Sequence, residues 1–193
     1  MRIIGGAWRS RRLLRPETDT TRPMPDRVKQ TIFDMLGSLY DRPGALSPLL
    51  VADVFAGSGS IGLEALSRGA AFCCFFDHNL NALEILRRNV ESLGAARESC
   101  IVPGDAWRAV MTTPDGRPFT LIFLDPPYWD CEDTTERGAV RRFLRKLIDV
   151  PVDERLVVLH HPAGTHFELT ADDPWRVVQE RRIGSNAVTF FAS

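Results

Sequence analysis

The stretch that most restricts this chain's fold runs from residue 50 to residue 62, Leu-Val-Ala-Asp-Val-Phe-Ala-Gly-Ser-Gly-Ser-Ile-Gly. A short apolar run gives way to glycines and then to the helical stripe Ile61, Leu63, Ala65 and Leu66, which predicts a buried strand, a tight turn and a helix start. Gly57, Gly59 and Gly62 satisfy the G-x-G-x-x-G spacing of dinucleotide-binding folds, so spacing alone does not separate NAD from another adenosine cofactor. Asp53 helps to separate them. A carboxylate just before the loop would repel a pyrophosphate, whereas it would attract the ammonium end of S-adenosyl-L-methionine. The competing reading of Asp53 is a strand-end residue that caps a neighbouring turn. With Asp53, the loop residues Ala56, Gly57, Ser58 and Gly59 are candidate cofactor contacts.

Further acids follow at the ends of later apolar runs. Asp77 closes Phe-Cys-Cys-Phe-Phe-Asp (72–77), twenty positions past Gly57, where a carboxylate at the tip of a second strand binds ribose hydroxyls. A helix over 79–93, with Leu83, Leu86, Val90 and Leu93 on one face, ends at Gly94. The third strand, 100–102, leads to Gly104-Asp105, and Asp105 can accept the adenine amino group, cap a helix at Ala106, or do both. After the fourth strand comes Leu124-Asp125-Pro126-Pro127-Tyr128. An acid before Pro-Pro and an aromatic ring suits a grip on a planar amine. The carboxylate accepts one N–H, the carbonyl of Pro126 accepts another, and Tyr128 offers a stacking face. Asp125, Pro126, Pro127 and Tyr128 are thus the candidate catalytic residues. In isolation, the same tetrapeptide reads as an ordinary strand exit. What makes it specific is the ordered set, with each element at a carboxyl end of a predicted parallel strand, where open α/β sheets bind ligands.

These residues resemble the RsmD-type family of bacterial methyltransferases that act on guanine N2 of small-subunit (16S) ribosomal RNA. The resemblance runs from Met1-Arg2-Ile3-Ile4-Gly5-Gly6, Thr21-Arg22-Pro23 and Asp26-Arg27-Val28-Lys29, through the glycine turn and residues 62–70, to Asp125-Pro126-Pro127-Tyr128. The Thr-Arg-Pro and Asp-Arg-Val segments distinguish the family, because the catalytic tetrapeptide is shared with DNA methyltransferases and with enzymes that methylate glutamine. The resemblance implies a Rossmann-like class I methyltransferase fold of the α/β class with S-adenosyl-L-methionine as cofactor, and it adds Arg22 to the cofactor contacts. The chain departs from the family at Asp77, where Glu is expected, shortening the ribose contact by one methylene. It departs again at Met24 and Pro25, where small hydroxyl residues are typical.

With 193 residues, 44% of them hydrophobic, the chain is long enough for one domain with a proper core. No apolar stretch approaches the ~20 residues of a membrane span, and the start lacks a signal-peptide core, so the expected location is the cytoplasm. The four cysteines read as reduced packing residues, and no Cys or His spacing predicts a metal. The net charge of -1 hides an asymmetry: residues 1–29 carry eight basic and three acidic side chains, 8 − 3 = +5, leaving -6 for the remainder. A basic arm can hold phosphates, and Trp8 among the arginines adds a stacking face. The competing reading is a solvated leader. Arg137, Arg141, Arg142, Arg145 and Lys146 form a second basic group, more simply a solvated helix face.

The predicted organisation is a basic N-terminal extension over 1–40, with a short hairpin and a helix from 26 to 36, followed by a methyltransferase domain over 41–193. In that domain a helix at 136–148, a strand at 156–160 and an antiparallel hairpin of strands 176–183 and 187–191 complete a seven-stranded mixed sheet. The expected partner is 16S rRNA in an assembling small subunit, met by a monomer without metal or membrane. Three alternatives stand beside this reading: a DNA adenine-N6 or cytosine-N4 methyltransferase, an NAD-dependent oxidoreductase, and a non-catalytic RNA-binding module. The oxidoreductase leaves Asp53 and Asp125-Pro126-Pro127-Tyr128 unexplained.

Overall fold

The computed structural model describes residues 1–16, 24–41, 45–46 and 48–193. Arg22, and with it the Thr-Arg-Pro segment, lies outside the described residues. Among those described, seven strands form one sheet: β1 (Leu50–Val54), β2 (Phe72–Asp77), β3 (Ser99–Pro103), β4 (Leu121–Leu124), β5 (Leu156–Pro162), β6 (Arg176–Ile183) and β7 (Asn186–Ala192). Their spatial order is β3-β2-β1-β4-β5-β7-β6. The first five are parallel, while β7 runs antiparallel to both β5 and β6. The chain leaves β1 toward β2 on one side and returns as β4 on the other, which makes the carboxyl ends of β1 and β4 the switch point, where open α/β sheets bind ligands.

Alternation along the strands builds a core on each face. Val51, Phe75, Leu121, Phe123 and Val158 face one cluster, and Ala52, Phe76, Ile122, Leu124 and Val157 the other. The first face is covered by helices α1 (Asp26–Leu39), α2 (Ser60–Ser67) and α3 (Leu80–Leu93), the second by α4 (Ala139–Ile148). On α1 the apolar face is Val28, Ile32, Phe33 and Leu36, all buried. Full burial of each such side chain contributes about 1.5–3 kcal/mol. Phe33 lies between Phe123, 5.7 Å away, and the Arg68 guanidinium, 4.6 Å from its ring centre.

Several expected boundaries move. α1 continues to Leu39, and α4 starts only at Ala139, because Asp133 and Thr135 fold the preceding residues into a turn closed by Gly138 N–H on the Thr135 carbonyl at 3.0 Å. The expectation of four reduced cysteines is overturned: Cys74 and Cys100 form a disulfide, and Cys73 and Cys131 are free and buried. Strand register brings the pair together, since Cys74 on β2 faces Cys100 on β3 with their Cα atoms 4.6 Å apart. A separation of 26 residues hides this pairing in the sequence.

The first residues do form a hairpin, with Arg2 bridged to Arg12 and Ile3 N–H donating to Arg11 O at 2.9 Å. It belongs to the main core, where Ile3 and Leu13 are buried. Its anchor is Glu64 of α2, a carboxylate with no exposure. Glu64 accepts the N–H groups of Ile4 and Gly5, both at 2.7 Å, and the guanidinium of Arg68 at 2.9 Å. The ammonium of Lys29, also fully buried, lies 3.5 Å from Glu64 and donates to Arg2 O and to Ser60 Oγ. Burial pulls the Lys29 pKa below its ordinary value although Glu64 opposes the shift. One buried acid thus ties the hairpin, α1 and α2 together.

Candidate active site

The glycine turn after β1 depends on two left-handed residues that need no side chain. Gly57 has φ +54° with open space where a Cβ would stand; Gly59 has φ +82°, and a Cβ there would lie 2.3 Å from Leu86. The space over Gly57 is the kind of cradle a cofactor's backbone-facing edge requires. Phe55 holds φ +67° without being glycine, a conformation that costs about 1–3 kcal/mol. It is locked there because its N–H and that of Ala56 both donate to Phe76 O at 3.0 Å, while its ring packs edge-on against Trp107 at 4.9 Å.

The acids gather around this turn in distinct states. Asp53 is 1% exposed and its Oδ2 accepts the Gly62 N–H at 2.9 Å, so it braces the first turn of α2. Burial, with further help from Asp125 and Asp77, pushes its pKa up to about 8 against the Gly62 hydrogen bond. Asp77 at the tip of β2 accepts Gly57 N–H at 2.7 Å on one oxygen and Asn79 N–H at 2.8 Å on the other, fastening the glycine turn to the second strand. Ser58 is held by its carbonyl, which accepts from Asn89 Nδ2 at 3.0 Å. Asn89 also bonds both backbone groups of Leu14, so the turn is linked to the N-terminal hairpin. Asp105 caps the short turn Ala106–Arg108 through Trp107 N–H at 3.0 Å, with its side chain half exposed. These residues fit S-adenosyl-L-methionine: an open glycine cradle, with Asp77 at the end of β2 and Asp105 just past β3, and with Asp53 buried near the end of β1 against the turn.

Asp125 leaves β4 with its N–H donated to Val54 O at 3.2 Å, which sets the Asp-Pro-Pro-Tyr loop directly beside the end of β1. Pro127 precedes the turn Tyr128–Cys131, where Asp130 N–H closes on Pro127 O at 2.9 Å. Tyr128 is 43% exposed and Trp129 71%, so the turn after Asp125 presents two aromatic side chains to solvent. Sequence reasoning misses two participants: His160 on β5 and Asn186 at the start of β7. Oδ1 of Asp125 is 2.7 Å from His160 Nδ1, His160 Nε2 is 3.2 Å from Asn186 Oδ1, and the Tyr128 hydroxyl donates to that same Asn186 oxygen. On sequence grounds the histidines are weighed only as metal ligands. The sequence carries no signal for this placement: it is the register pairing Leu124 with Leu159 that sets Asp125, just beyond β4, beside His160 on β5.

The basic groups divide. Arg9, Arg12 and Arg15 are exposed on the hairpin, and Trp8 is half-buried against the core with its N–H on Ser67 Oγ. On the α4 side Arg137, Arg142 and Arg145 are exposed, as a solvated face would have them, while two charges are used internally. Arg141 is buried and pairs with Asp173 at 2.5 Å, and Lys146 donates to the carbonyls of Trp107 and Ala109.

A parallel-then-antiparallel sheet of this order, with a glycine turn after β1 and Asp-Pro-Pro-Tyr after β4, defines a class I methyltransferase, the class whose methyl donor is S-adenosyl-L-methionine. Within it, the chain belongs to the family described as Conserved hypothetical protein 95, which matches residues 1–192. Ribosomal RNA small subunit methyltransferase D of Escherichia coli (strain K12) is 36% identical over 193 residues, covering 99% of this chain and 89% of that one. The enzyme of the same name from Haemophilus influenzae is 36% identical over 129 residues, 66% of this chain and 64% of the relative. The solved structure of yhhF from Escherichia coli superposes with a TM-score of 0.77 at 30% identity, covering 100% of this chain and 97% of that one.

Proposed function

We propose that this protein transfers a methyl group from S-adenosyl-L-methionine to the exocyclic N2 of a guanine in small-subunit ribosomal RNA. The observation that carries the reading is the placement of Asp125-Pro126-Pro127-Tyr128 beside the end of β1, whose glycine turn leaves open space at Gly57. The relatives named ribosomal RNA small subunit methyltransferase D support the RNA substrate.

Bound S-adenosyl-L-methionine supplies an electrophilic methyl carried on sulfur. The protein's part is to present a poor nucleophile well. An exocyclic amine delocalises its lone pair into the ring, so the base must leave its stack and be held. Asp125 and the Pro126 carbonyl accept hydrogen bonds from N2, which favours a pyramidal nitrogen and returns lone-pair density to it. The prolines keep both acceptors aimed, and the Tyr128 ring supports the base face, with Trp129 beside it for a neighbouring base. After transfer the nitrogen is acidic, and its proton passes to Asp125 and then to water. Asp53, Asp77 and Asp105 hold the cofactor at its ammonium, ribose and adenine ends, and Arg22 adds a contact. The chain acts as a monomer in the cytoplasm on 16S rRNA in an assembling small subunit, with the exposed hairpin arginines on phosphates.

The test is transfer of labelled methyl to unmethylated 16S RNA, small-subunit particles and duplex DNA. Label that digests to N2-methylguanosine is the expected result, and particle against naked RNA reports the assembly stage. Label in DNA alone overturns the substrate while leaving the fold.

A further inference from the structure

We propose that His160 is a positioning residue for methyl transfer, clamping the Asp125 carboxylate and, through Asn186, the Tyr128 hydroxyl into one rigid catalytic surface. This rests on the methyl-transfer reading of the site.

The four residues come from three elements: the exit of β4, strand β5 and the start of β7. Each contact is short enough to be directional, at 2.7 Å for Asp125 with Nδ1 and 3.2 Å for Asn186 with Nε2. The imidazole is 5% exposed, and the Tyr128 ring meets it edge-on at 5.9 Å, so the ring has little freedom. Asp125 remains partly open, its side chain 30% exposed. With Oδ1 engaged by His160, the plane of the carboxylate is set and Oδ2 is the oxygen that meets the amine. Asn186 Oδ1 accepts from the Tyr128 O–H, which fixes the ring that must support the base.

Nδ1 faces a carboxylate oxygen and Nε2 faces Asn186 Oδ1, an arrangement in which an imidazolium donates to both. Burial works against that charge, but the Asp125 hydrogen bond and charge, with Asn186, outweigh it and raise the pKa above the ordinary histidine value. The titratable groups around the ring are Asp125 from the β4 exit, Tyr128 from the turn after it, His161 on its own strand and Asp53 beyond Asp125. A raised folded pKa means that the imidazolium persists to higher pH than in an unperturbed histidine, and the clamp is lost as pH rises through that value. Deprotonation leaves an Nε2 lone pair against Asn186 Oδ1, so the Asn186 amide must turn over and the hydrogen bonds it shares with His160 and Tyr128 must reverse direction.

The experiment uses the full chain and compares wild type, His160→Ala, His160→Gln and Asn186→Ala in single-turnover transfer across pH 6 to 9. Binding of S-adenosyl-L-methionine and thermal melting are measured alongside. We expect His160→Ala to lower kcat roughly 10- to 100-fold with cofactor affinity within about twofold. We expect Asn186→Ala to do less, and His160→Gln, which can still donate to Asp125, to recover part of the loss. Wild-type kcat declines on the alkaline side, and that limb disappears in His160→Gln. Nitrogen-15 NMR of the imidazole, comparing wild type with Asp125→Asn, reports the clamp without any substrate: the ring titrates above the ordinary histidine value in wild type, with the titration moved down in the variant. An inactive wild type on every RNA sinks the functional reading and leaves NMR to decide the clamp. Unchanged kcat and alkaline limb in His160→Ala, or a ring titration indifferent to Asp125→Asn, overturns the clamp.

Discussion

Asp125 and Asp53 are carboxylates near the carboxyl ends of adjacent strands, yet their surroundings give them opposite duties. Asp125 is partly exposed and hydrogen-bonded to His160, so it can accept from a substrate amine. We expect Asp125→Ala to lose transfer by two or more orders of magnitude while equilibrium binding of S-adenosyl-L-methionine is retained, as calorimetry and single-turnover rates together would show. Equal loss of binding would remove Asp125 from the catalytic role. Asp53 is buried with its pKa at about 8, so folding prefers its protonated form, and the stability it contributes fades as pH rises from 3.8 to about 8. Asp53→Asn keeps an acceptor for Gly62 N–H and removes that penalty. The expected outcome is a cofactor-free protein that melts several degrees higher at pH 8 than wild type, with weaker binding of the cofactor's ammonium end. A lower melting point at pH 8 would mean that the carboxylate is stabilising as an anion. The identities and order of these acids were legible in the sequence because each follows an apolar run. Their states were not, because burial depends on helices contributed from elsewhere in the chain.

At the level of elements, α2 does more than open the glycine turn. Its Glu64 satisfies two backbone amides of the hairpin and pairs with two cations, and without it the fully buried Lys29 ammonium loses the carboxylate that balances its charge. Breaking a buried pair from one side costs about 3–5 kcal/mol, so Glu64→Ala should lower stability by that order in chemical denaturation. A change under about 1 kcal/mol would show that water replaces the carboxylate. The effect should reach the cofactor turn, because Lys29 also holds Ser60 and the hairpin holds Asn89. In the sequence, Glu64 reads as one polar residue in an amphipathic helix, and nothing near it announces partners 59 and 60 residues away. The Cys74–Cys100 bond escapes for the same reason. Alternation shows that both strands are buried but not which residues of β2 and β3 stand opposite.

For the whole molecule, Lys29 of the basic N-terminal stretch is buried against Glu64, while Arg2, Arg9, Arg11, Arg12 and Arg15 stand exposed on the hairpin. Ile3 and Leu13 belong to the core, so the arm's electrostatics is best tested by substitution. Replacing Arg9, Arg12 and Arg15 by Ala should spare cofactor binding and weaken RNA binding. It should also reduce the slope of log affinity against log salt by about 0.7–0.9 for each phosphate that an arginine no longer neutralises. An unchanged slope would place the phosphate track on another face. No helix among the described residues is long and apolar enough to cross a membrane. What the sequence alone determined was the kind of sheet, the order of its loops and the chemistry of the residues at their tips. Those follow from hydrophobic periodicity and from glycine and proline geometry, which act within a few residues. Only the tertiary structure decided that the N-terminal hairpin is built into the core, that Cys74 meets Cys100, and that His160 and Asn186 stand behind Asp125 and Tyr128. These depend on strand register and crossover, which bring together residues 26 to 60 positions apart, and local pattern carries no record of such distances.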